Sequence, residues 1–335
     1  MTKTFMDINR YCILGLTLLA LLGMVSCKDD KTENFEYLTG EPEFSMPVYG
    51  VAGDTFNFTA KGVTADDGSK VGYYWYNTPY RSTKDTTNTY SITLTDTLCT
   101  VTVYCVAFAD GYYNSSASHS IIILKPGREG GSLSGLTPVE GRDFMFTDAR
   151  DGHEYLCTTI GNKDWFRENL AYKGSGIPMA ECEAASDVFG RFYTWNEAVS
   201  GCPSGWRLST LDDWADAAAA TLGSKPDPKE RYYSAAGAFM GDLYLNGIKM
   251  WEYWPDVKIT DRLGLSMIPL GFANKMEGKS EFKSTQDYAA FWTADEKDAE
   301  QAYYRYFYDE SPDLFIGSTS KSSFAANVRC VRDHE

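Results

Sequence analysis

Short runs of alternating apolar residues recur through residues 43–125, and they constrain the fold more than any other feature of the sequence. Alternation with a period of two places every second side chain on the same sheet face, which is the pattern of a half-buried β-strand. Asp-Gly turn signals separate the runs, so the segment predicts an all-β sandwich of short strands. The alternating residues are Phe56 and Phe58; Tyr90, Ile92 and Leu94; and Val101, Val103, Cys105 and Ala107.

The predicted sandwich, residues 43–126, resembles an immunoglobulin-like domain in architecture. Trp75 lies in a middle run, and Cys105 lies in a late one. Cys99 precedes Cys105 by six residues on what reads as one strand. At about 3.3 Å per residue, the two cysteines would lie about 20 Å apart, beyond the roughly 7 Å Cα limit of a disulfide. We therefore expect Cys99 and Cys105 not to be bonded to each other.

The composition changes sharply after residue 125. Residues 126–132 consist of Pro, Gly, Arg, Glu and Ser, which is typical of a linker. We predict a linker at 127–139 and a second domain at 140–335. Two domains agree with a length of 335 residues, since about 150 residues per domain is common.

The first thirty residues predict an exported protein. Residues 11–25 are almost wholly apolar and follow Lys3 and Arg10. Fifteen helical residues at about 1.5 Å each cannot cross a hydrocarbon core of about 30 Å, so this run predicts a secretory signal and not a membrane span. The predicted signal peptide occupies residues 1–26.

Residues 24–27, Met-Val-Ser-Cys, resemble a bacterial lipoprotein box, in which the cysteine becomes lipidated. The Lys-Asp-Asp that follows resembles the short acidic tag of surface-exported lipoproteins in Bacteroidetes-type bacteria. We therefore predict lipidation at Cys27, a tether at 27–42, and a lipid anchor in the outer membrane with the protein exposed at the cell surface. The alternatives are a plain secretory signal with an incidental Cys27, and an anchor that faces the periplasm.

Charge and histidine content argue against several classes of function. The chain has 31 Lys and Arg and 46 Asp and Glu, for a net charge of -15, and such an acidic surface disfavours nucleic acid. Its three histidines, His119, His153 and His334, offer little for a histidine metal site or a catalytic relay. The sequence has no Cys-x-x-Cys, no Gly-x-Ser-x-Gly and no phosphate-binding glycine loop. We predict no catalytic residue, metal site or cofactor.

Six motifs follow one another in the second domain. They resemble, in the same order, those of the Fibrobacter succinogenes major paralogous domain family. The resemblance implies a fold similar to the C-type-lectin-like and formylglycine-generating-enzyme-like group, an α+β domain with few helices, short twisted sheets and ordered loops. Directly after the third motif, residues 211–222 predict a helix with acidic residues at its start. The motifs lie at residues 151–170, 189–198, 202–209, 264–272, 291–294 and 327–333.

The same resemblance implies a disulfide between Cys202 and Cys330. It also leaves Cys157 and Cys182 as a second candidate pair, with two buried thiols as the alternative. An oxidising compartment permits both bridges. The tripeptides of the calcium-dependent sugar site of C-type lectins are missing, so that binding mode is not carried over.

Two aromatic clusters are the best candidates for ligand contact. Trp251, Tyr253 and Trp254 lie within four positions, and a strand there would place Trp251 and Tyr253 on one face. Residues 303–308 alternate so that each face of a strand carries a row of rings. Sugars stack on aromatic rings, and aromatic residues also anchor protein interfaces. The alternative is a core position for these rings. The acidic residues after Tyr308 predict a solvated rim, with calcium binding as the alternative.

Together these observations predict a cell-surface lipoprotein with a non-catalytic binding or adhesion role, directed at a glycan or a protein through the lectin-like domain. A structural or accessory subunit of a surface fibre or polysaccharide-uptake assembly is the first alternative. An enzyme acting on surface polysaccharide or protein is the second.

Overall fold

The structure is a computed structural model that describes residues 35–79, 83–85 and 87–335, without the side chains of 83–85. The predicted signal peptide and Cys27 lie outside the described residues. Among the residues described, no helix is both long and apolar enough to cross a membrane.

Among its described residues, the N-terminal domain has nine strands. Five of them form one sheet in the order β2-β9-β7-β4-β5, β3 pairs with β6, and β1 pairs with β8. β1 lies inside the predicted tether, so this part of the tether belongs to the folded domain. The strands are β1 (Glu36–Tyr37), β2 (Tyr49–Val51), β3 (Thr55–Thr59), β4 (Gly72–Thr78), β5 (Thr83–Asp85), β6 (Thr89–Thr93), β7 (Thr100–Phe108), β8 (Tyr112–Tyr113) and β9 (Ser115–Leu124).

The five-stranded sheet and the β3–β6 pair share one hydrophobic core. Trp75 of β4 is fully buried there and stacks on Tyr90 of β6, with ring centroids 5.5 Å apart. In β7, Val101, Val103 and Cys105 are buried while the residues between them are more exposed. The predicted alternation is therefore confirmed. Cys99 and Cys105 are both free thiols, as the strand geometry predicts.

The C-terminal domain contains sixteen strands and four short helices among its described residues. The strands are β10 (Leu133–Ser134), β11 (Asp143–Thr147), β12 (Glu154–Ile160), β13 (Lys163–Phe166), β14 (Ile177–Pro178), β15 (Arg191–Thr194), β16 (Arg207–Leu208), β17 (Tyr244–Leu245), β18 (Ile248–Lys249), β19 (Phe272–Met276), β20 (Lys279–Lys283), β21 (Tyr288–Glu296), β22 (Gln301–Tyr308), β23 (Phe315–Ser320), β24 (Phe324–Ala326) and β25 (Cys330–Asp333). The helices are α1 (Glu183–Phe189), α2 (Trp195–Val199), α3 (Leu211–Leu222) and α4 (Ala236–Phe239), with a 3-10 turn at Met179–Glu181.

These strands form two five-stranded and two three-stranded sheets. Their orders are β11-β12-β13-β25-β16, β14-β15-β24-β19-β20, β21-β22-β23 and β10-β17-β18. The last strand of the chain, β25, therefore lies inside a sheet between β13 and β16. Short sheets with few helices confirm the expected β-rich architecture in its general form.

Helix α3 spans the predicted residues 211–222, and the residues at both of its ends are typical of helix caps. Thr210 accepts a hydrogen bond from the backbone of Asp213, whose carboxylate accepts one from the backbone of Thr210, which is a capping box. Gly223 ends the helix in the left-handed conformation, with φ of 80°. The buried face includes Trp214 and Ala218, which pack into the main core of the domain.

Cys202 and Cys330 form a disulfide with a Cα–Cα distance of 5.8 Å, so the implied pairing is confirmed. The prediction of a second bridge between Cys157 and Cys182 is wrong, since both residues are free thiols. Cys157 is buried in β12 within the core that surrounds the disulfide. Cys182 lies before α1, and its thiol donates to the carbonyl of Tyr49 in the N-terminal domain, 3.1 Å away. The two side chains therefore point into different surroundings.

The two domains share a hydrophobic cluster at their junction. Ile122 and Leu124 of the N-terminal domain pack into the same cluster as Phe189 and Leu243 of the C-terminal domain. Within the predicted linker, β10 pairs with β17 of the C-terminal domain. Two residues of this connection, Leu133 and Ser134, thus belong to a sheet, and apolar packing holds the domains together.

Candidate functional site

Seven Tyr and Phe side chains form a connected group on one side of β22 and its neighbours, and the buried Trp292 packs against two of them, Tyr304 and Phe324. We call this group the aromatic platform. It arises because Tyr304, Tyr306 and Tyr308 occupy alternate positions of β22, which places their side chains on the same face. The platform consists of Phe272, Tyr288, Tyr304, Tyr306, Tyr308, Phe315 and Phe324.

Tyr306 is the centre of the platform. Its ring centroid lies 5.2 to 5.4 Å from those of four other platform residues, and it stacks on Phe315 with an interplanar angle of 11°. Strand pairing explains this, because Tyr306 lies opposite Phe315 and Tyr308 lies opposite Tyr288. Tyr304, Tyr306 and Phe315 are half-buried, and Tyr308 is 38% exposed. Part of the platform's ring surface therefore reaches solvent.

The hydroxyl groups of Tyr288, Tyr304 and Tyr306 remain protonated at neutral pH. Burial raises the pKa of Tyr288, Tyr304 and Tyr306 above the usual range. The hydroxyl groups of Tyr288 and Tyr304 lie 3.5 Å apart, at the limit of a hydrogen bond. The platform is thus an uncharged surface that combines ring faces with hydrogen-bonding hydroxyls.

The opposite face of β22 belongs to the interior. Phe307 packs in the main core. Arg305 is fully buried, donates to the carbonyls of Glu230 and Pro228, and lies 3.9 Å from the ring centroid of Tyr232. Burial lowers the pKa of Arg305 to about 10. The predicted alternation therefore yields one structural face and one partly exposed face.

Three carboxylates lie together where β21 begins and β22 ends. Glu252, Asp287 and Asp309 each offer an oxygen within 4.8 Å of the others. The backbone N–H of Asp309 donates to the carbonyl of Asp287, and the indole of Trp254 donates to the Asp309 carboxylate at 2.7 Å. Burial, together with the negative charges of Asp287 and Glu252, raises the pKa of Asp309. We call these three residues the carboxylate cluster.

The carboxylate cluster contains the ligand type that calcium prefers. Calcium takes about six to eight oxygen ligands, and the cluster contributes one from each of three residues. Among the described residues, a cation site could therefore use the carboxylates of Glu252, Asp287 and Asp309. Most of the oxygen ligands that calcium takes would have to come from other groups. The cluster places the negative charges of Glu252 and Asp287 beside the buried carboxyl group of Asp309.

Replacing Asp309 with Asn is expected to raise the melting temperature at pH 7. The folded pKa of Asp309 exceeds its unfolded value, so the folded chain binds more protons between the two values and loses stability as the pH rises through that window. Asparagine removes the charge and keeps an acceptor for the Trp254 indole. Thermal unfolding at pH 7 should give a higher melting temperature for Asp309→Asn than for wild type. At pH values below the ordinary aspartate pKa, this difference in melting temperature should disappear. The exposed Asp110→Asn should show no such gain, and a lower melting temperature for Asp309→Asn at pH 7 would contradict the prediction.

The three aromatic residues predicted to bind ligand occupy different environments. Residues 250–255 form no strand, so the expectation of a shared face for Trp251 and Tyr253 is wrong. Trp251 is 1% exposed and donates its indole N–H to the carbonyl of Met267, which makes it a core residue. Tyr253 is 77% exposed, and Trp254 is half-buried against Asp309. Only the last two are accessible to a ligand.

The acidic residues after Tyr308 do not form one group. Asp309 joins Glu252 and Asp287, which are distant in sequence, whereas Asp313 lies 3.5 Å from Arg231 and accepts a hydrogen bond from the backbone of Ser234. The sequence pattern gave no sign of the carboxylate cluster, because its members come from three separate segments.

Comparison with known proteins places the site within a defined family region. The sequence model of the Fibrobacter succinogenes major domain matches residues 158–332. No curated protein matches the chain. A solved structure of a nucleoside hydrolase-related hypothetical protein from Saccharophagus degradans, described as associated with carbohydrate metabolism, has 14% identity and a TM-score of 0.21. The similarity covers 27% of this chain and about a quarter, 25%, of that one, and a likeness this low carries no argument. The aromatic platform and the carboxylate cluster both lie within residues 158–332.

Proposed function

The chain belongs to the Fibrobacter succinogenes major domain family, and we propose that its family domain is a non-catalytic module that binds a glycan on the aromatic platform. The observation that carries this proposal is the partly exposed group of rings around Tyr306 and Tyr308 on one sheet face. Sugar rings present apolar C–H faces, which pack against aromatic rings. Neutral tyrosine hydroxyls beside them supply hydrogen bonds to sugar hydroxyls.

We propose further that the mature protein is a surface lipoprotein anchored through Cys27 in the outer membrane. The apolar segment at residues 11–25 and the Lys-Asp-Asp after Cys27 support this. The immunoglobulin-like N-terminal domain and the lectin-like C-terminal domain would then act as one rigid body, since they share an apolar cluster. The N-terminal domain would hold the platform away from the membrane.

A second candidate is glycoside hydrolysis by the carboxylate cluster. The raised pKa of Asp309 and the nearness of two other carboxylates favour it, because such enzymes use a protonated and an ionised carboxyl. We rank it lower because the side chains of Glu252 and Asp287 are exposed to water. Release of reducing ends from a bound glycan, lost in Asp287→Asn, would support hydrolysis.

A glycan array with the soluble mature chain, residues 28–335, tests the binding proposal. The double variant Tyr306→Ala/Tyr308→Ala removes two platform rings, and Tyr113→Ala removes an exposed ring of the N-terminal domain as a matched control. We expect wild type and the control to bind the same glycans. The double variant should bind at least about fivefold more weakly, since each lost ring contact is worth about 0.5–1.5 kcal/mol and two are lost.

Two results would overturn the proposal. One is the absence of any bound glycan, and the other is unchanged binding by the double variant when its melting curve shows a folded protein. Capture of a surface-fibre or uptake-assembly component that depends on Tyr306 and Tyr308, without glycan binding, would favour the accessory-subunit alternative instead.

A further inference from the structure

A cleft of 310 Å³ lies between the connection of the two domains and the C-terminal domain. Arg128 and Leu136 of the connection form part of its wall, and Glu168, Asp187 and Val188 contribute from the C-terminal domain. Arg128 and Glu168 form an ion pair at 2.7 Å across the cleft wall. The volume is at the lower end of the range of about 300–1,000 Å³ that is common for small-molecule sites.

A recess opens from this cleft toward the interior. It shares Leu136, Glu168 and Val188 with the cleft and adds Arg167 and Arg329 to the lining. Its volume is 20 Å³, which is enough for about one water-sized group. The recess can therefore take the end of a ligand whose larger part lies in the cleft.

Arg329 places an incompletely paired guanidinium beside the recess. It is 1% exposed and donates from Nε to Asn169 and from Nη1 to the carbonyls of Phe166 and Leu265. Its Nη2 makes no hydrogen bond to any residue that the structure describes, and no described carboxylate is bonded to it. Burial lowers the pKa of Arg329 to about 9, which still leaves it charged at neutral pH. The negative charges of Glu168 and Asp261 favour the charged form of Arg329, but the atoms bonded to it are neutral oxygens, so Nη2 remains able to donate to an anionic group.

Arg167 adds a second buried guanidinium to the lining. It pairs with Asp143, lies 3.5 Å from a carboxylate oxygen of Asp261 and donates to the hydroxyl of Ser266, while its Nε has no partner among the described residues. Glu168 and Asp187 line both the recess and the cleft, so acidic groups accompany the two guanidinium groups. The free Nη2 of Arg329 therefore favours one negative group, and Glu168 and Asp187 disfavour a second.

We propose that this cleft binds a monocarboxylic acid of sugar size, such as a uronic acid, with one carboxylate oxygen in the recess beside Arg329 and the rest of the ligand, including its hydroxyl groups, in the cleft. Guanidinium and carboxylate form strong charge-assisted hydrogen bonds. Phosphate fits less well because it carries more charge past the acidic wall. This site is separate from the aromatic platform and does not depend on its function.

Calorimetric titration of the soluble mature chain with glucuronate, glucose and inorganic phosphate tests the proposal. We expect saturable binding of glucuronate that is at least tenfold tighter than that of glucose or phosphate. Val188→Trp should fill the cleft and weaken glucuronate binding at least tenfold, whereas the exposed Val199→Trp should not. Arg329→Met should also weaken binding, and Val188→Trp keeps the test decisive if Arg329→Met does not fold.

Several outcomes would overturn this assignment. They are the absence of glucuronate binding, equal affinity for phosphate, and binding that persists in a folded Val188→Trp variant. The platform variant Tyr306→Ala/Tyr308→Ala should retain glucuronate binding. Loss of glucuronate binding in this variant would place the acid on the platform and contradict the cleft assignment. The proposal that the platform binds a glycan can fail without affecting the cleft proposal.

Discussion

Removal of the disulfide between Cys202 and Cys330 is expected to lower the free energy of unfolding by about 4–5 kcal/mol. The bridge closes a loop of 128 residues, and in the chain-entropy model a loop of this length restricts the unfolded chain by about that amount. Cys330 is also fully buried at the start of β25, inside a sheet. Urea unfolding of the double variant Cys202→Ala/Cys330→Ala, compared with wild type, measures the loss.

Cys99→Ala provides the matched control, because Cys99 is a half-buried free thiol in the N-terminal domain. It should change stability by less than about 1.5 kcal/mol, the range of a small core truncation. If the double variant unfolds within 1 kcal/mol of wild type, on the order of the usual mutational effect, the disulfide does not stabilise the fold as expected.

Trp214→Ala is expected to cost about 3–5 kcal/mol, the usual range for removing a buried aromatic side chain. Trp214 is fully buried in α3 and stacks on Phe239, with centroids 5.5 Å apart. Its ring also lies 5.9 Å from those of Trp165 and Phe291, and its indole donates to the hydroxyl of Ser209. The variant thus leaves a large cavity and one hydroxyl without its partner.

Leu222→Ala is the matched control for Trp214→Ala, because Leu222 ends the same helix and is exposed. It should cost less than about 1 kcal/mol, as surface substitutions usually do. Chemical unfolding followed by circular dichroism separates the two variants. Equal losses in both would mean that α3 contributes through helix formation and not through the packing of Trp214.

Local patterns predicted the elements whose signals lie close together in sequence. The capping residues Thr210 and Asp213 and the terminal Gly223 mark α3, so its bounds could be predicted. The alternation of Tyr304, Tyr306 and Tyr308 likewise predicted a row of rings. Phe315 and Tyr288 could not be assigned to that row, since they join it through the register of neighbouring strands.

The failed predictions have a common physical cause. Trp251 was a candidate for ligand contact, but its segment makes no strand and tertiary packing buries the indole in the core. Cys157 and Cys182 were a candidate pair, yet one lies inside a core and the other contacts Tyr49. The carboxylate of Asp309 accepts a hydrogen bond from the indole of Trp254, which lies 55 residues away in sequence. Contacts of this kind depend on the whole fold and leave no local pattern.

The central claim is that the aromatic platform binds a glycan, and its most direct test is the dissociation constant of the strongest array glycan. Calorimetric titration of wild type, Tyr308→Ala and Tyr113→Ala gives this value for each protein. We expect saturable binding by wild type and Tyr113→Ala with equal constants, and binding at least about twofold weaker for Tyr308→Ala, the effect of one lost ring contact. Equal constants for wild type and Tyr308→Ala, or no saturable binding by wild type, would contradict the claim.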